Sequence, residues 1–446
     1  MPRRIFTFLI CLCLWPVAYA GITLGFPSER NASVGIYVKD LGSGKIIAQH
    51  NAERLLTPAS ITKSLTTATV MCLIDTSFSF STPVYLYGRR KGTTWDGNLV
   101  IEASGDPTID SSEFPDSSDF AADIVCAMKA TGITSITGKV IVNEDLPDDG
   151  QPGTWEVEDV PWPYGAGLFG FNFRDNVMRV CPATGVTTPH DPGLIITRQY
   201  AKRGGTLLRG INSDRLTAKG AAVNKKSWVL NTSMPDPARV FCHMLTSQLA
   251  DAGITVRNKN VNNVDTRMLV LNHTSAPLTQ ILRRLMVVSH NMFAESMLRL
   301  LAPGCSRDEA LTVEKDFWRQ RGIDTENIIL HDGSGLSRGN KMSPLFLGSV
   351  LEAMARDWGM AVPYSRLFPL AGVEGTVKSL LADTPLAGQL ALKSGSMGGV
   401  QCFAGYKLDE HGQPTHVVVI MVNAFTCIRS SLRKSIEKFL LETFAN

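Results

Sequence analysis

Apolar positions along this chain fall into two textures. Near the start, Gly35-Ile36-Tyr37-Val38-Lys39-Asp40 has the make-up of a strand, Leu41-Gly42-Ser43-Gly44 supplies turn residues, and residues 45–50 return, which predicts a hairpin. Pro58 then stands near the start of a helical pattern running through Leu65, Ala68 and Cys72. The far end mirrors this. Val400–Leu408 predicts a strand, Asp409-Glu410-His411-Gly412 a turn, residues 416–422 a strongly apolar strand, and residues 430–443 a terminal amphipathic helix. Strands at both chain ends with flanking helices predict one α/β (α+β) domain closed by its own termini.

The middle differs. Over residues 80–264 Gly, Pro, Asp and Ser are frequent, and short alternating runs recur, such as Leu99-Val100-Ile101-Glu102 and Lys139-Val140-Ile141-Val142. This predicts β-rich material, two small subdomains, inserted into a domain formed by residues 21–79 and 265–446. A helical pattern follows Asp236-Pro237-Ala238 through Leu245 and Leu249 to Gly253, and residues 278–301 are strongly helical in pattern.

Residues 1–20 carry the marks of an export leader. Arg3 and Arg4 precede an apolar run from Ile5 to Val17, and Ala18-Tyr19-Ala20 forms a small-residue cleavage site. That run is too short for a comfortable membrane span, so the expectation is a periplasmic or secreted protein without strong membrane association. The formal net charge is +3, which offers no basic field for nucleic acid and no charge run for anionic membranes. Of nine cysteines, Cys11 and Cys13 lie in the leader, leaving Cys72, Cys126, Cys181, Cys242, Cys305, Cys402 and Cys427. Seven is odd, so at least one thiol stays unpaired even in an oxidising compartment. Neither the cysteines nor the eight histidines have the spacing of metal ligands, so no metal or other cofactor is expected.

The candidate chemistry is an ordered trio: Ser60-Ile61-Thr62-Lys63, then Ser289-His290-Asn291, then Lys393-Ser394-Gly395. Ser-x-x-Lys recurs at Ser431/Lys434 and Ser435/Lys438 on the polar face of the last helix, so order and context carry the signal. On a helix, Ser60 and Lys63 share a face one turn apart, which brings an amine to a hydroxyl. A lysine buried near another cation loses basicity and serves as a base. Lys393 would supply that cationic pressure while binding a substrate carboxylate. Ser289 would relay a proton between Lys63 and a leaving amine, and Asn291 would hold a substrate amide. Gly395 would leave room for an extended peptide on an edge strand. Backbone N–H groups of Ser60 and Ser396 are the natural oxyanion donors. His290 points away from its neighbours at this spacing and is expected to be structural or solvated.

Ser-x-x-Lys, Ser-x-Asn and Lys-[Thr/Ser]-Gly in this order resemble the active-site motifs of penicillin-recognising serine acyltransferases. The match extends to the residues around Ser60 (Pro58 to Thr66), to Ala103-Ser104-Gly105-Asp106-Pro107-Thr108, to His331-Asp332-Gly333-Ser334-Gly335-Leu336-Ser337-Arg338 and to Leu370-Ala371-Gly372-Val373-Glu374-Gly375-Thr376. Over nearly the whole chain it resembles the class C low-molecular-mass penicillin-binding proteins, the D-alanyl-D-alanine carboxypeptidase/endopeptidase family. The resemblance implies a penicilloyl serine transferase, β-lactamase-like domain split by two inserted domains. It implies peptidoglycan stem peptides as substrates and β-lactams as inhibitors. The third motif is Lys-Ser-Gly where Lys-Thr-Gly is usual, which keeps the hydroxyl. At Asn143, in Val140-Ile141-Val142-Asn143, relatives tend to place an aspartate that reaches the active site; Glu144 and Asp145 lie beside it. A non-catalytic peptidoglycan-binding or penicillin-sensing protein, and a β-lactamase, are the competing expectations; the long gap between Ser60 and Ser289 disfavours the second.

Overall fold

Five antiparallel strands, in the order Leu390–Met397, Val400–Leu408, Pro414–Asn423, Ser33–Asp40 and Ile46–His50, form the sheet that carries the site. The structure is a computed structural model that describes residues 22–115, 119–147, 149–261, 266–357 and 359–444; the leader expected over residues 1–20 lies outside the described residues. The continuous apolar run of the third strand has a simple cause. It lies mid-sheet, and its side chains alternate between two cores. Val417, Val419 and Met421 face one, with the buried helix Thr62–Leu73 and the helix Pro344–Arg356. Val418, Ile420 and Val422 face the other, covered by Leu432, Ile436 and Leu440 at every fourth position of the C-terminal helix Arg429–Phe444. Each such fully buried aliphatic side chain contributes about 1.5–3 kcal/mol.

The middle of the chain builds its own sheets. Ser81–Lys91 and Thr94–Glu102 pair antiparallel in a six-stranded sheet that also takes in Val140–Asn143 and Arg267–Thr274. Two three-stranded sheets follow, one of Val177–Cys181, Val186–Thr188 and Leu230–Ser233, the other of Ile195–Tyr200, Gly205–Arg209 and Arg215–Gly220. Because Arg267–Thr274 pairs with Ser81–Lys91, we draw the inserted region to Thr274 rather than to residue 264.

The strongly helical stretch is interrupted once. The stretch 278–301 is two helices, Leu278–Val288 and Asn291–Arg299, broken where Ser289 adopts a left-handed conformation (φ 64°, ψ 41°). The hydrophobic periodicity continues across the break because both helices face the same core, which is why the pattern conceals it. The break brings Ser289 to Lys393 of the five-stranded sheet and Asn291 to Lys63.

The loop after residue 330 is organised by one carboxylate. Asp332 is fully buried and accepts from Gly335 N (2.7 Å), Ser337 N (2.7 Å), Asn340 Nδ2 (2.7 Å) and, across the junction with the inserted region, Trp155 Nε1 (2.8 Å). Gly335 (φ 79°) must be glycine, since a Cβ there would lie 2.0 Å from the Ala59 carbonyl oxygen. Removing the acceptor leaves four buried donors without a partner, at about 1–3 kcal/mol each. Asp332→Ala is therefore expected to lower the melting temperature by many degrees and to loosen the junction, read as faster proteolysis between residues 150 and 165. Asp332→Asn, which keeps the shape and one of the two acceptor oxygens, each of which serves two donors, should lose less.

Candidate active site

The turn that carries Ser60 is strained. Pro58 leads into a 3-10 turn, Ala59–Ile61, that runs straight into the helix Thr62–Leu73. Ala59 has φ 49°, a conformation that costs a non-glycine residue on the order of 1–3 kcal/mol. The turn is pressed between Gly335 and Gly395: a Cβ on Gly395 would lie 2.6 Å from Pro58 O and 3.0 Å from Ser60 N. Gly395 thus makes room for the turn itself, where the sequence suggested room for a substrate peptide. The edge strand Leu390–Met397 then lies against Ser60 with one side unpaired by other strands.

Lys63 is the centre of the site. It is fully buried, and its Nζ donates to Ser60 Oγ (3.0 Å), Asn291 Oδ1 (2.6 Å) and the Ser334 carbonyl (2.5 Å). Burial pushes its pKa down to about 7, against the opposing charges of Asp332 and Glu295. Lys393 is also fully buried and donates to Ser289 Oγ (2.8 Å) and the Ser394 carbonyl (2.7 Å). Its pKa lies well below the ordinary lysine value, first through burial and then through the charge of Lys63. The cationic pressure expected of Lys393 on Lys63 is therefore felt in the reverse direction, and burial alone depresses Lys63. Ser289 joins the site through Lys393, with no direct bond to Lys63. Ser394 Oγ bonds Thr376 Oγ1 (2.7 Å) on the neighbouring loop, and the Ser396 side chain is exposed at the strand's end.

The inserted region completes the site. Asn291 Nδ2 donates to the Tyr164 carbonyl (2.7 Å), so one amide ties Lys63 to the segment 155–165. His290 caps the helix Asn291–Arg299: its Nδ1 accepts from Phe293 N (3.4 Å), and its ring stacks on Phe293 at 4.1 Å. That leaves Nε2–H directed at Asp175 Oδ1, 3.5 Å away. Asp175 lies in three consecutive left-handed residues, Arg174, Asp175 and Asn176 (φ 52°, 57° and 51°). It also accepts from Ser111 Oγ (2.5 Å), Ser112 N (3.0 Å) and Ser112 Oγ (2.6 Å). Burial raises its pKa, but hydrogen bonds from His290 and the two serines outweigh that and hold it at about 2. A cavity of about 320 Å³ opens here, lined by Glu113, Tyr164, Asp175, Ser289, His290 and Asn291 among others.

Asn143 is not brought to this cavity. It ends its strand exposed and donates to Glu102 Oε2 (2.6 Å) on the adjacent strand. Glu144 is half-buried and accepts from Phe171 N (3.0 Å), and Asp145 lines a separate cavity beside Arg299. The strand's parallel pairing with Thr94–Glu102 fixes these directions, which sequence alignment alone does not reveal. Glu295 was missed, although it lies four residues after Asn291 on the same helical face. It is buried, accepts from Gly333 N (3.1 Å) and Ser334 N (2.9 Å), and so holds the loop whose carbonyl grips Lys63. Burial, then the charge of Asp332, pushes its carboxyl up to about 7. Among the described residues no group of three His, Cys, Asp or Glu is arranged to hold a metal ion, and the seven described cysteines are free thiols.

Residues 22–442 match the family described as D-Ala-D-Ala carboxypeptidase 3 (S13). The chain is 24% identical over 441 residues to the D-alanyl-D-alanine carboxypeptidase DacB of Haemophilus influenzae, covering 91% of this chain and 89% of that protein. It is 27% identical over 438 residues to the D-alanyl-D-alanine carboxypeptidase of Actinomadura sp. strain R39, covering 88% and 78%. Its fold is similar to the crystal structure of penicillin binding protein 4 from Haemophilus influenzae, with a TM-score of 0.79 at 22% identity over 94% of this chain and 98% of that one. A predatory endopeptidase of Bdellovibrio bacteriovorus matches with a TM-score of 0.52 at 15% identity over 92% of both chains.

A base must be neutral to accept a proton, and Lys63 becomes so as the pH rises through about 7. The rate of covalent capture by a labelled penicillin is expected to climb about tenfold per pH unit below 7 and to level off above it. In Lys63→Ala the rate should fall by about 10²–10⁴ and lose this profile. A wild-type profile flat from pH 5 to 8 would remove Lys63 from the role.

Proposed function

The chain belongs to the D-Ala-D-Ala carboxypeptidase 3 (S13) family, serine-type carboxypeptidases of the penicillin-binding kind, and we propose that it trims peptidoglycan stem peptides outside the cytoplasm through an acyl-enzyme on Ser60. The observation that carries the proposal is the enclosed amine of Lys63, 3.0 Å from a hydroxyl held in a strained turn. Ser60 Oγ attacks the carbonyl carbon of the penultimate D-alanine while Lys63 Nζ takes the hydroxyl proton. Backbone N–H groups of Ser60 and Ser396 receive the oxyanion, which a preformed pair of donors stabilises without reorganisation. The proton held by Lys63 passes through the Ser289 hydroxyl to the departing amine, D-alanine leaves, and water then hydrolyses the ester, giving its proton to Lys63 as it attacks while Ser60 regains a proton on leaving. The same steps on a D-alanyl bond to a diamino acid side chain give endopeptidase activity.

Lys393 is the group that meets the substrate's terminal carboxylate. An anion placed beside it restores the ammonium that burial disfavours, so binding and protonation are coupled. A β-lactam carries both a carboxylate and a strained amide, and it acylates Ser60 by the same route. Labelled penicillin is expected to form one covalent adduct on Ser60, absent in Ser60→Ala, and the wild type is expected to release D-alanine from a pentapeptide catalytically. An adduct without D-alanine release would favour a penicillin-sensing protein; neither one would sink the proposal.

The acid that reads a cationic stem side chain is Asp159 in this proposal. Asp175 is saturated by four donors and Glu113 is paired with Arg284 at 2.7 Å, whereas the Asp159 carboxylate accepts, among the described residues, only from the hydroxyl of Tyr164 (2.9 Å), a residue that lines the cavity. A partly exposed ion pair of this kind is worth about 0–1 kcal/mol. The kcat/KM ratio for a free-amine substrate over its acetylated twin is therefore expected to fall up to about fivefold in Asp159→Asn and to stay unchanged in Glu144→Gln. The reverse pattern would return the role to the strand bearing Asn143.

A further inference from the structure

The modest overall charge hides a strong local asymmetry. Residues 177–233 hold nine of the chain's 44 Lys and Arg but only two of its 41 Asp and Glu, leaving 35 and 39 for the remainder. Both acids, Asp191 and Asp214, are occupied by Arg239, which lies outside this stretch (3.0 and 2.7 Å). Arg209 is buried; the other cations are exposed or half-exposed, and none of them has a carboxylate partner among the described residues. A subdomain of this size with an uncompensated excess of seven positive charges is an electrostatic handle for a polyanion.

The charge is concentrated at one end. The turn between Ile195–Tyr200 and Gly205–Arg209 carries Lys202 and Arg203, and Lys219 ends the adjoining strand. Lys225 and Lys226 lie in the next turn, held there by Lys225 N to the Ala222 carbonyl (2.8 Å). Trp228 brings these pieces together. Its ring lies so close to Gly205 and Gly220 that a Cβ would sit 2.6 and 3.3 Å from ring carbons, so both positions are glycine to admit the indole. Tyr200, 67% exposed, stands at the edge of the same tip. Five cations and two aromatic rings therefore share one end of this three-stranded sheet. Residues 201–204, Ala-Lys-Arg-Gly, offer no large apolar group to enter a bilayer, and Trp228 is fixed flat against the backbone.

We propose that this tip is a docking surface for peptidoglycan as an insoluble polymer, its cations meeting the free carboxylates of neighbouring stem peptides and its rings stacking on sugar or peptide faces, apart from the cavity where the chemistry occurs. The proposal rests on the peptidoglycan reading above. It supplies what a groove for one stem peptide lacks: retention on a surface of many. It also amends the expectation from net charge, since averaging over the chain cancels a field that the fold concentrates.

The test compares wild type with a Lys202→Glu, Arg203→Glu, Lys225→Glu, Lys226→Glu variant for co-sedimentation with purified sacculi, and for D-alanine release from both sacculi and a soluble pentapeptide. The bound fraction and the rate on sacculi should fall at least tenfold in the variant, with the soluble rate unchanged. Wild-type binding should weaken steeply as salt rises from 50 to about 300 mM. Binding to sacculi equal in the two proteins, or insensitive to salt, would overturn the proposal. So would wild-type binding to phosphatidylglycerol vesicles without binding to sacculi. Should neither protein turn over the soluble peptide while the difference in sacculus binding persists, the catalytic reading fails and the docking surface stands.

Discussion

Everything in this molecule converges on one enclosed amine. Lys63 has no solvent, so each of its hydrogens needs an acceptor, and the three it finds come from three remote parts of the chain: Ser60, Asn291 and Ser334. A lone buried ammonium is costly, and one with incomplete partners is costlier. The fold must therefore bring the turn at Ser60, the break at Ser289 and the loop at Asp332 to a single point. Each has its own device. Gly335 and Gly395 clear the space around Ala59–Ile61, a left-handed Ser289 ends one helix and starts another, and Asp332 gathers four donors into a rigid loop.

The inserted region is bound into this arrangement rather than appended to it. Trp155 reaches Asp332, Asn291 reaches the Tyr164 carbonyl, Ser296 Oγ reaches the Gly105 carbonyl (3.1 Å), and Asp175 faces the cap residue His290. Four contacts on two active-site elements mean that a shift of the inserted sheets moves Asn291, and through it Lys63. Such coupling makes the inserted region a second support for Lys63, beside the turn at Ser60 and the loop at Asp332.

The same enclosure sets how the fold responds to pH. Lys63 titrates near 7 folded against an ordinary value of 10.5, so its cost is fully present below 7 and is relieved as the pH climbs toward 10.5. Glu295 and Glu314 are buried and pushed up to about 7 and 8, chiefly by burial. Their contribution is most favourable below 4.5 and declines as the pH rises to 7–8, when they ionise inside the protein. Near neutrality the cluster costs the fold most, and there its lysine is poised to exchange a proton. Strain at Ala59 and Ser289 adds to that cost. The apolar cores on either face of the catalytic sheet offset it.

The sequence by itself determined the terminal strands, the turns between them, the C-terminal helix and the order of the three motifs. These depend on local periodicity, turn chemistry and spacing, which survive without tertiary context. It also brought Ser60 to Lys63, because three residues on a helix decide that contact. The tertiary structure alone decided the rest. Hydrophobic periodicity runs unbroken through Ser289, since the core is the same on both sides of the break. Asn143 looked like a groove residue until parallel pairing with Thr94–Glu102 sent it to Glu102. Glu295 and Asp332 act on Lys63 from positions whose importance comes from burial, and burial is a property of what the chain packs against. The basic tip near Trp228 was averaged out of the composition, because net charge has no coordinates. Local rules fix what a residue touches a turn away, and only the closed fold fixes what it meets two hundred residues on.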